Sequence, residues 1–543
     1  MVFARRSTTL LAAIIASCAM VLSLTACTSD NKTVVDGQTT VTSNSAGGVA
    51  VFTPSDGITL NQQVPLNKWA KLVPDLTKAL VDAGFKKGDI NHTTSDSLAK
   101  QSRAIQDFVV DHLSNNTTDD SGIAIAPDNM TLLVAPVVEA DASTRQYGDY
   151  VSQNLSTNDV TDEGATSDGE SSEDDSSKDD SSNTESDSTA SDEQAQAVDR
   201  LVSSLKLAKE SGMHVVLLGN SIEGYKPDAF VKFSDAQTIG KLQAEKMVSK
   251  LKLDKASKDN PKYIEVLLPY TAVDEKGNAN DSTFAQEAFR GIWQVLGSYY
   301  QKGVVESPSG TLDGKSTEND WQAVAYDAAK EGSTAKVLDK RLAKTDGQST
   351  LTRIDGIITM NDYIASEVVK ELDDLGYTGS AADINPQITI SGIVGNITGK
   401  KDLSRDAVPD PIKSPENDNA NDSSSSDDDA DEDTSASDKD RDSQWPLVTG
   451  YGAYVSNIPS IVNGKQWMTG MEDRQTIATD IAQACAKLNK DEALNSMPST
   501  RNSEVGGVKK IPTISEPLLA VSASNLKSAL IDPGYISLAD AGL

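Results

Sequence analysis

Cysteine, histidine and positive charge are all scarce in this chain of 543 residues. The three cysteines are Cys18, Cys27 and Cys485, and the first two lie close to the start. One thiol is therefore left for the body of the protein, which excludes a disulfide framework. Cys485 falls in the helical pattern 477–485 and reads as buried packing, since a free cysteine behaves as a small apolar side chain. The three histidines, His92, His112 and His214, are too few and too scattered for a catalytic triad or a metal trio. A Gly-x-Ser-x-Gly elbow, a phosphate-binding glycine loop and paired-cysteine zinc spacing are also missing, so no catalytic residue, cofactor or metal is predicted. Lys and Arg number 49 against 81 Asp and Glu, a net charge of −32. No basic patch offers itself to phosphates, which excludes a nucleic-acid partner. Long apolar runs are absent too: the stretch 10–22 is shorter than the roughly 18 residues that span a bilayer.

What is present at the start is an export signal, with Arg5 and Arg6, the apolar run, and small residues before a cysteine. Leu24-Thr25-Ala26-Cys27 resembles the bacterial lipobox, in which the cysteine carries the lipid; Ile15-Ala16-Ser17-Cys18 is a weaker second candidate. This reading gives a signal peptide over 1–26, lipidation at Cys27, and a solvated tether over 27–50. It places the protein at the extracytoplasmic face of the cell membrane, anchored by lipid.

Most of the negative charge is local. Between Asp159 and Glu193 there are 14 acidic residues against Lys178, and between Glu416 and Asp442 there are 12 against Lys439 and Arg441. Such Ser/Asp/Glu/Asn tracts cannot bury enough apolar area to offset the entropy of ordering, so disordered inserts are expected over 152–196 and 413–443. Neither has the glycine-containing spacing of a calcium loop. The remainder is only mildly acidic.

With the tracts set aside, the chain reads as alternating strand and helix. Helical periods run over 72–85, 97–113, 197–211, 282–300 and 364–375, with a further helix opening at Trp321. Continuous apolar runs at 131–138, 214–219, 263–268, 356–360, 387–392 and 446–450 have the character of strands buried on both faces of a parallel sheet. The length exceeds one hydrophobic core, so two α/β lobes are expected.

The order of these segments resembles the type I periplasmic binding proteins, in particular the xylose and multiple-sugar branch. The likeness rests on Ile461-Val462-Asn463-Gly464-Lys465-Gln466-Trp467-Met468-Thr469, on Met471-Glu472-Asp473-Arg474, on Val505-Gly506-Gly507-Val508-Lys509-Lys510-Ile511-Pro512, on Leu530-Ile531-Asp532-Pro533-Gly534-Tyr535, and on the first crossing between lobes at 232–240. The resemblance implies two Rossmann-like lobes joined by a hinge, with 51–232 and 472–500 forming the N-terminal lobe and 233–471 and 501–543 the C-terminal lobe and closing tail. It also implies a ligand gripped at the carboxyl ends of the strands by aromatic faces and charged groups. Carried over position by position, the ligand-binding candidates are Trp69, Glu139, Asn220, Asp281 (with Asn280), Trp321, Asp362 and Tyr451. Several positions depart from the family pattern: Asn220 replaces an Asp-Arg pair, Tyr451-Gly452 replaces Gln-Asp, and Glu472 replaces lysine. The expectation is a monomeric solute-binding lipoprotein of an ABC-type importer, with a small solute, a sugar, and an ABC permease complex as partners. The alternative is a surface receptor or envelope lipoprotein that keeps the fold with a diverged cleft.

Overall fold

The computed structural model describes residues 32–35, 38–41, 46–56, 65–115, 125–138, 142–151, 153–156, 184–273, 280–343, 350–381 and 444–543. The chain divides into two compact units, 1–44 and 45–543. In the first, strand β1 (Lys32–Val35) pairs antiparallel with β2 (Gln38–Val41), Val35 opposite Gln38. The sequence reading has a structureless tether here. It overlooked that Asp36-Gly37 lies between runs rich in Thr and Val, which is a hairpin signal. The tether boundary also moves, because Ala46 is buried and the next strand starts at Gly48.

The second unit opens with β3 (Gly48–Pro54), α1 (Trp69–Asp82), β4 (Ile90–Ser95), α2 (Leu98–Asn115), β5 (Met130–Val134), α3 (Ala142–Arg145), β6 (Asn154–Leu155), α4 (Thr184–Glu210), β7 (His214–Leu218), β8 (Ser221–Ile222) and β9 (Ala229–Val231). β4, β3, β5, β7 and β9 lie side by side in parallel, the 2-1-3-4-5 order of a doubly wound sheet. Alternation along each strand explains the continuous apolar runs. Val49, Val51, Leu133, Val216 and Leu218 face one core with α1, whereas Ala50, Phe52, Leu132, Val134, Val215 and Leu217 face another with α2 and α4. Both faces are covered by helices, so neither can be polar.

Two expectations for the first acidic insert need correction at its ends. β6 pairs in parallel with β8, and α4 begins at Thr184, so ordered structure reaches into 152–196 from both sides. The stretches 157–183 and 382–443, which include the rest of the first tract, the whole second tract and the strand expected at 387–392, lie outside the described residues.

The C-terminal lobe repeats the design with α5 (Ala236–Lys250), β10 (Lys262–Val266), β11 (Leu268–Pro269), α6 (Thr283–Gln301), β12 (Val305–Glu306), α7 (Trp321–Val324), β13 (Ala325–Tyr326), α8 (Ser333–Arg341), β14 (Gly356–Ile358), α9 (Asp362–Leu375), β15 (Leu447–Thr449), α10 (Ile458–Val462) and β16 (Met468–Met471). Its parallel sheet runs β12-β10-β14-β15. Ile264, Val266 and Ile358 pack under α5 and α6, and Ile357 and Val448 under α8 and α9. α5 and α6 touch through backbone. A Cβ on Gly240 would stand 2.2 Å from the Ala288 carbonyl oxygen, and one on Gly291 would stand 2.0 Å from that of Gln237. The helix expected from Trp321 is a single turn, and the longer helix is α8.

A second crossing, at Glu472-Asp473, returns the chain to the N-terminal lobe in α11 (Arg474–Leu488), which packs on α1, and the hairpin β17 (Thr500–Val505) and β18 (Val508–Ile514) follows. β18 lies parallel to β9, with Thr513 beside Phe230 and Ile514 beside Val231, so the N-terminal sheet has seven strands. The expected boundary at 501 is therefore corrected: residues 500–514 extend the N-terminal lobe, because β9 offers an edge that pairing satisfies. A third crossing leads to β19 (Leu519–Ser522), antiparallel to β16. Leu526, Leu530, Tyr535 and Ile536 of the tail then bury against Leu66, Ala453, Ile458 and Ile461 beside the crossings.

Candidate functional site

Residues of both lobes line a common gap, and the protein's own residues 144–151 with 153–156 lie in it, bonded to both sides. Gly148 lets this strap turn, with φ of +98° and no room for a side chain, since a Cβ would lie 2.7 Å from the Asn67 carbonyl. On the N-terminal side the Asp149 carboxylate accepts from Lys68 Nζ at 2.8 Å and from the Trp69 amide at 3.1 Å, and the Tyr150 hydroxyl donates to the Lys68 carbonyl at 2.5 Å. Burial and the neighbouring Asp56 carboxyl raise Asp149 above the usual carboxylate range, against the pull of Lys68. On the C-terminal side Asn361 Nδ2 donates to Gln146 Oε1 at 3.1 Å, and the Tyr454 hydroxyl donates to the Gln146 carbonyl at 2.7 Å. Tyr147, 1% exposed, lies 4.7 Å from the ring of Phe284 and 6.3 Å from that of Tyr451.

Beside the strap an open cavity of about 850 Å³ remains between the lobes. The strap supplies Thr144, Gln153, Asn154 and Ser156 to its wall. The N-terminal lobe supplies Phe230, Lys232 and Glu504, and the C-terminal lobe supplies Asp235, Asn280, Asp281, Phe284 and Glu287. Lys232 and Asp235 pair across the first crossing at 2.7 Å, and Asp235 caps α5 by accepting from the Thr238 amide. Asp281 Oδ1 accepts from the Thr283 amide at 2.9 Å at the start of α6.

The sequence-predicted residues divide by position. Asp281, with Asn280, lines the cavity. Trp321 stands behind that wall: it packs edge-on against Tyr270 at 5.1 Å, and the Tyr270 hydroxyl donates to the Asn280 carbonyl at 3.1 Å. Asn220, at the end of β7, takes the strap's Gln153 amide on Oδ1 at 3.0 Å and donates to the Pro136 carbonyl at 2.9 Å. Trp69 is buried in the N-terminal core, edge-on to Tyr150 and Phe233. Glu139 lies outside the described residues.

Asp362 and Tyr451 are fully enclosed at the hinge. The Asp362 carboxylate accepts from Gln466 Nε2 at 2.7 Å, Thr469 Oγ1 at 2.9 Å and the Tyr454 amide at 2.9 Å. Burial nevertheless pushes it up to about 6. Its neighbour Asn361 is the residue that caps α9, accepting from the Ile364 amide at 2.9 Å, and that also reaches the strap. The Tyr451 hydroxyl meets Ser234 Oγ at 2.5 Å and donates to Glu472 Oε1 at 3.4 Å, while the Ser234 amide donates to the same Oε1 at 2.6 Å. Glu472 is thus the acceptor that ties the first crossing to the second, and burial pushes it up to about 7. Gln146, Tyr147 and Asn361 were missed by the sequence reading, because a segment that folds back into a gap has no local periodicity to announce it.

Among the described residues, no group of three or more His, Cys, Asp or Glu is placed to hold a metal, and no helix is long and apolar enough to cross a membrane. No family model matches the chain, and no curated protein matches it. Solved structures do resemble it. An ABC transporter solute-binding protein from Clostridium phytofermentans with bound β-D-glucose is 17% identical, with 91% of this chain and 99% of that one covered and a TM-score of 0.45. A carbohydrate transporter solute-binding protein from Chloroflexus aurantiacus in complex with D-glucose is 18% identical, with 92% and 98% covered and a TM-score of 0.43. The arabinose-binding component from Shewanella sp. ANA-3 is 10% identical, with 88% and 93% covered and a TM-score of 0.39.

Proposed function

We propose that this chain is an extracytoplasmic solute-binding protein that takes a small polyhydroxylated solute, a sugar, in the cavity beside the strap. In this reading it delivers the solute to a separate ABC-type permease complex and works as a monomer held at the membrane by lipid on Cys27. The observation that carries the reading is the cavity itself. Its volume of about 850 Å³ falls in the roughly 300–1,000 Å³ span of small-molecule sites. Its wall joins aromatic edges, Phe230 and Phe284, to the carboxylates and amides of Asp281, Asn280, Asn154 and Gln153. Rings of the first kind cover apolar C–H faces, and ionised acceptors bind hydroxyls with the stronger class of hydrogen bond. Asp281 is assigned direct contact, and Trp321 the support of its loop through Tyr270. Asn220, Asp362, Tyr451 and Trp69 are assigned the frame that fixes strap and hinge.

The second reading, a receptor or envelope lipoprotein that keeps the fold, is favoured by the strap, which takes the middle of the gap from any solute. Thermal-shift screening of the full chain against monosaccharides and oligosaccharides separates the two. A solute at 100 times its dissociation constant stabilises by about 2.7 kcal/mol. Asp281→Asn keeps an oxygen for the Thr283 amide but loses the charge offered to hydroxyls, so it should abolish the shift and leave the unliganded melting temperature in place. If no sugar moves the transition, the carbohydrate reading falls and the receptor reading stands.

A further inference from the structure

In a clamshell of two lobes, closure needs something in the gap that both lobes prefer to water, and ordinarily this is the ligand. Here the chain supplies that object. We propose that residues 144–151 with 153–156 are a built-in occupant of the gap that latches the lobes closed in the absence of any solute, so that the cavity beside it is preformed.

The strap is anchored to the N-terminal lobe along its length. β6 pairs with β8, Asn220 holds the Gln153 amide, Asp149 bonds Lys68 and the Trp69 amide, and the Asp149 amide donates to the Asn67 carbonyl at 2.8 Å. Tyr150 stacks on Phe233 at 4.8 Å. From this base the strap offers the C-terminal lobe what a bound guest would offer: an amide and a carbonyl at Gln146, a ring at Tyr147 and an apolar branch at Val151, the last two within that lobe's core cluster. The partners are groups at the carboxyl ends of the C-terminal strands, Asn361 after β14 and Tyr451 and Tyr454 after β15, together with Phe284 in the first turn of α6. The backbone there is under strain: Met360 and Ala453, neither of them glycine, hold φ of +69° and +49° on either side of the Gln146 contacts. Such conformations persist where surrounding contacts over-determine them. The latch stands whether or not a sugar binds beside it.

Small-angle X-ray scattering of the full chain without added solute tests this. Wild type should scatter as the closed form, and its radius of gyration should stay fixed when the sugars of the thermal-shift panel are added. Tyr147→Ala should shift the radius upward. Because Tyr147 is buried and its loss can unfold the chain, the double substitution Gln146→Ala with Tyr454→Phe decides in that event: it removes the Asn361 and hydroxyl contacts at the half-buried Gln146 and takes no ring from the core, and the radius should again rise while the far-ultraviolet circular dichroism stays native. A wild-type radius above that of the closed form that shrinks with sugar, or a natively folded double variant with an unchanged radius, overturns the proposal. A widened double variant with no sugar response would leave the latch standing and remove the solute reading.

Discussion

Asp362→Ala should cost folding stability, and by an amount that depends on pH. The substitution strands three buried donors: the Gln466 amide, the Thr469 hydroxyl and the Tyr454 backbone N–H. An unsatisfied buried donor costs about 1–3 kcal/mol. Gln466 Nε2 keeps its second acceptor, the Met468 carbonyl at 3.1 Å, and the Thr469 hydroxyl can turn to the Gly470 carbonyl, so a net loss of about 2–5 kcal/mol is expected. Burial works in the opposite direction. It lifts the carboxyl from 3.8 to about 6, so the folded state holds its proton more tightly than the unfolded state. The contribution of that proton is whole below about 3.8 and is lost as pH rises through about 6, a fall of about 3 kcal/mol in total. The penalty of Asp362→Ala should therefore be largest in acid and shrink towards neutrality. Urea titrations of both proteins at pH 4.5 and pH 7.5 read this directly from the midpoints. A variant as stable as wild type, or a penalty equal at both pH values, would refute the reasoning.

Glu472→Gln removes the other raised hinge carboxyl, lifted from 4.5 to about 7. Stability lost between those pH values in wild type should become flatter in the variant, followed by thermal melts across the range. Gly240→Ala or Gly291→Ala drives a methyl into a facing carbonyl, so either should destabilise by about 1–3 kcal/mol or more, whereas Gly314→Ala, whose methyl would find its nearest neighbour at 3.5 Å, should lack any such steric penalty. Cys485 is fully buried and its thiol is pushed far up by burial, so iodoacetamide should label it only after urea unfolds the N-terminal lobe. Cys27→Ser should abolish incorporation of labelled palmitate; incorporation that persists would move the anchor to Cys18.

The strands and most helices were legible because burial on both faces leaves an unmistakable imprint. The runs at 131–138, 214–219 and 263–268 supply β5, β7 and β10, and in β5 and β7 alternate residues feed opposite cores. Helix ends were legible where a cap marked them, as Gly376 marks α9. What escaped was non-local. Nothing in 500–514 says that its partner strand is β9 and not one of the other lobe, and the assignment went to the wrong side. The helix in the first acidic tract was hidden by a composition that argues against order. The site suffered most. Asp362 and Asn361 are adjacent after one strand, and the residue that resembled a family position turns inward while its neighbour reaches the gap. Sequence can place a polar residue at a strand end, but the direction of its side chain is decided by what the rest of the chain puts opposite it.

Four carboxyl side chains, Asp235, Asp281, Glu287 and Glu504, and one ammonium, Lys232, stand in the cavity wall. An anionic guest meets that imbalance of charge over a screening length of about 8 Å at physiological ionic strength. For the sugar proposed above, phosphorylated or carboxylated forms should therefore bind more weakly than neutral or amine-bearing ones. Added salt should narrow the difference, which thermal shifts at two ionic strengths would read.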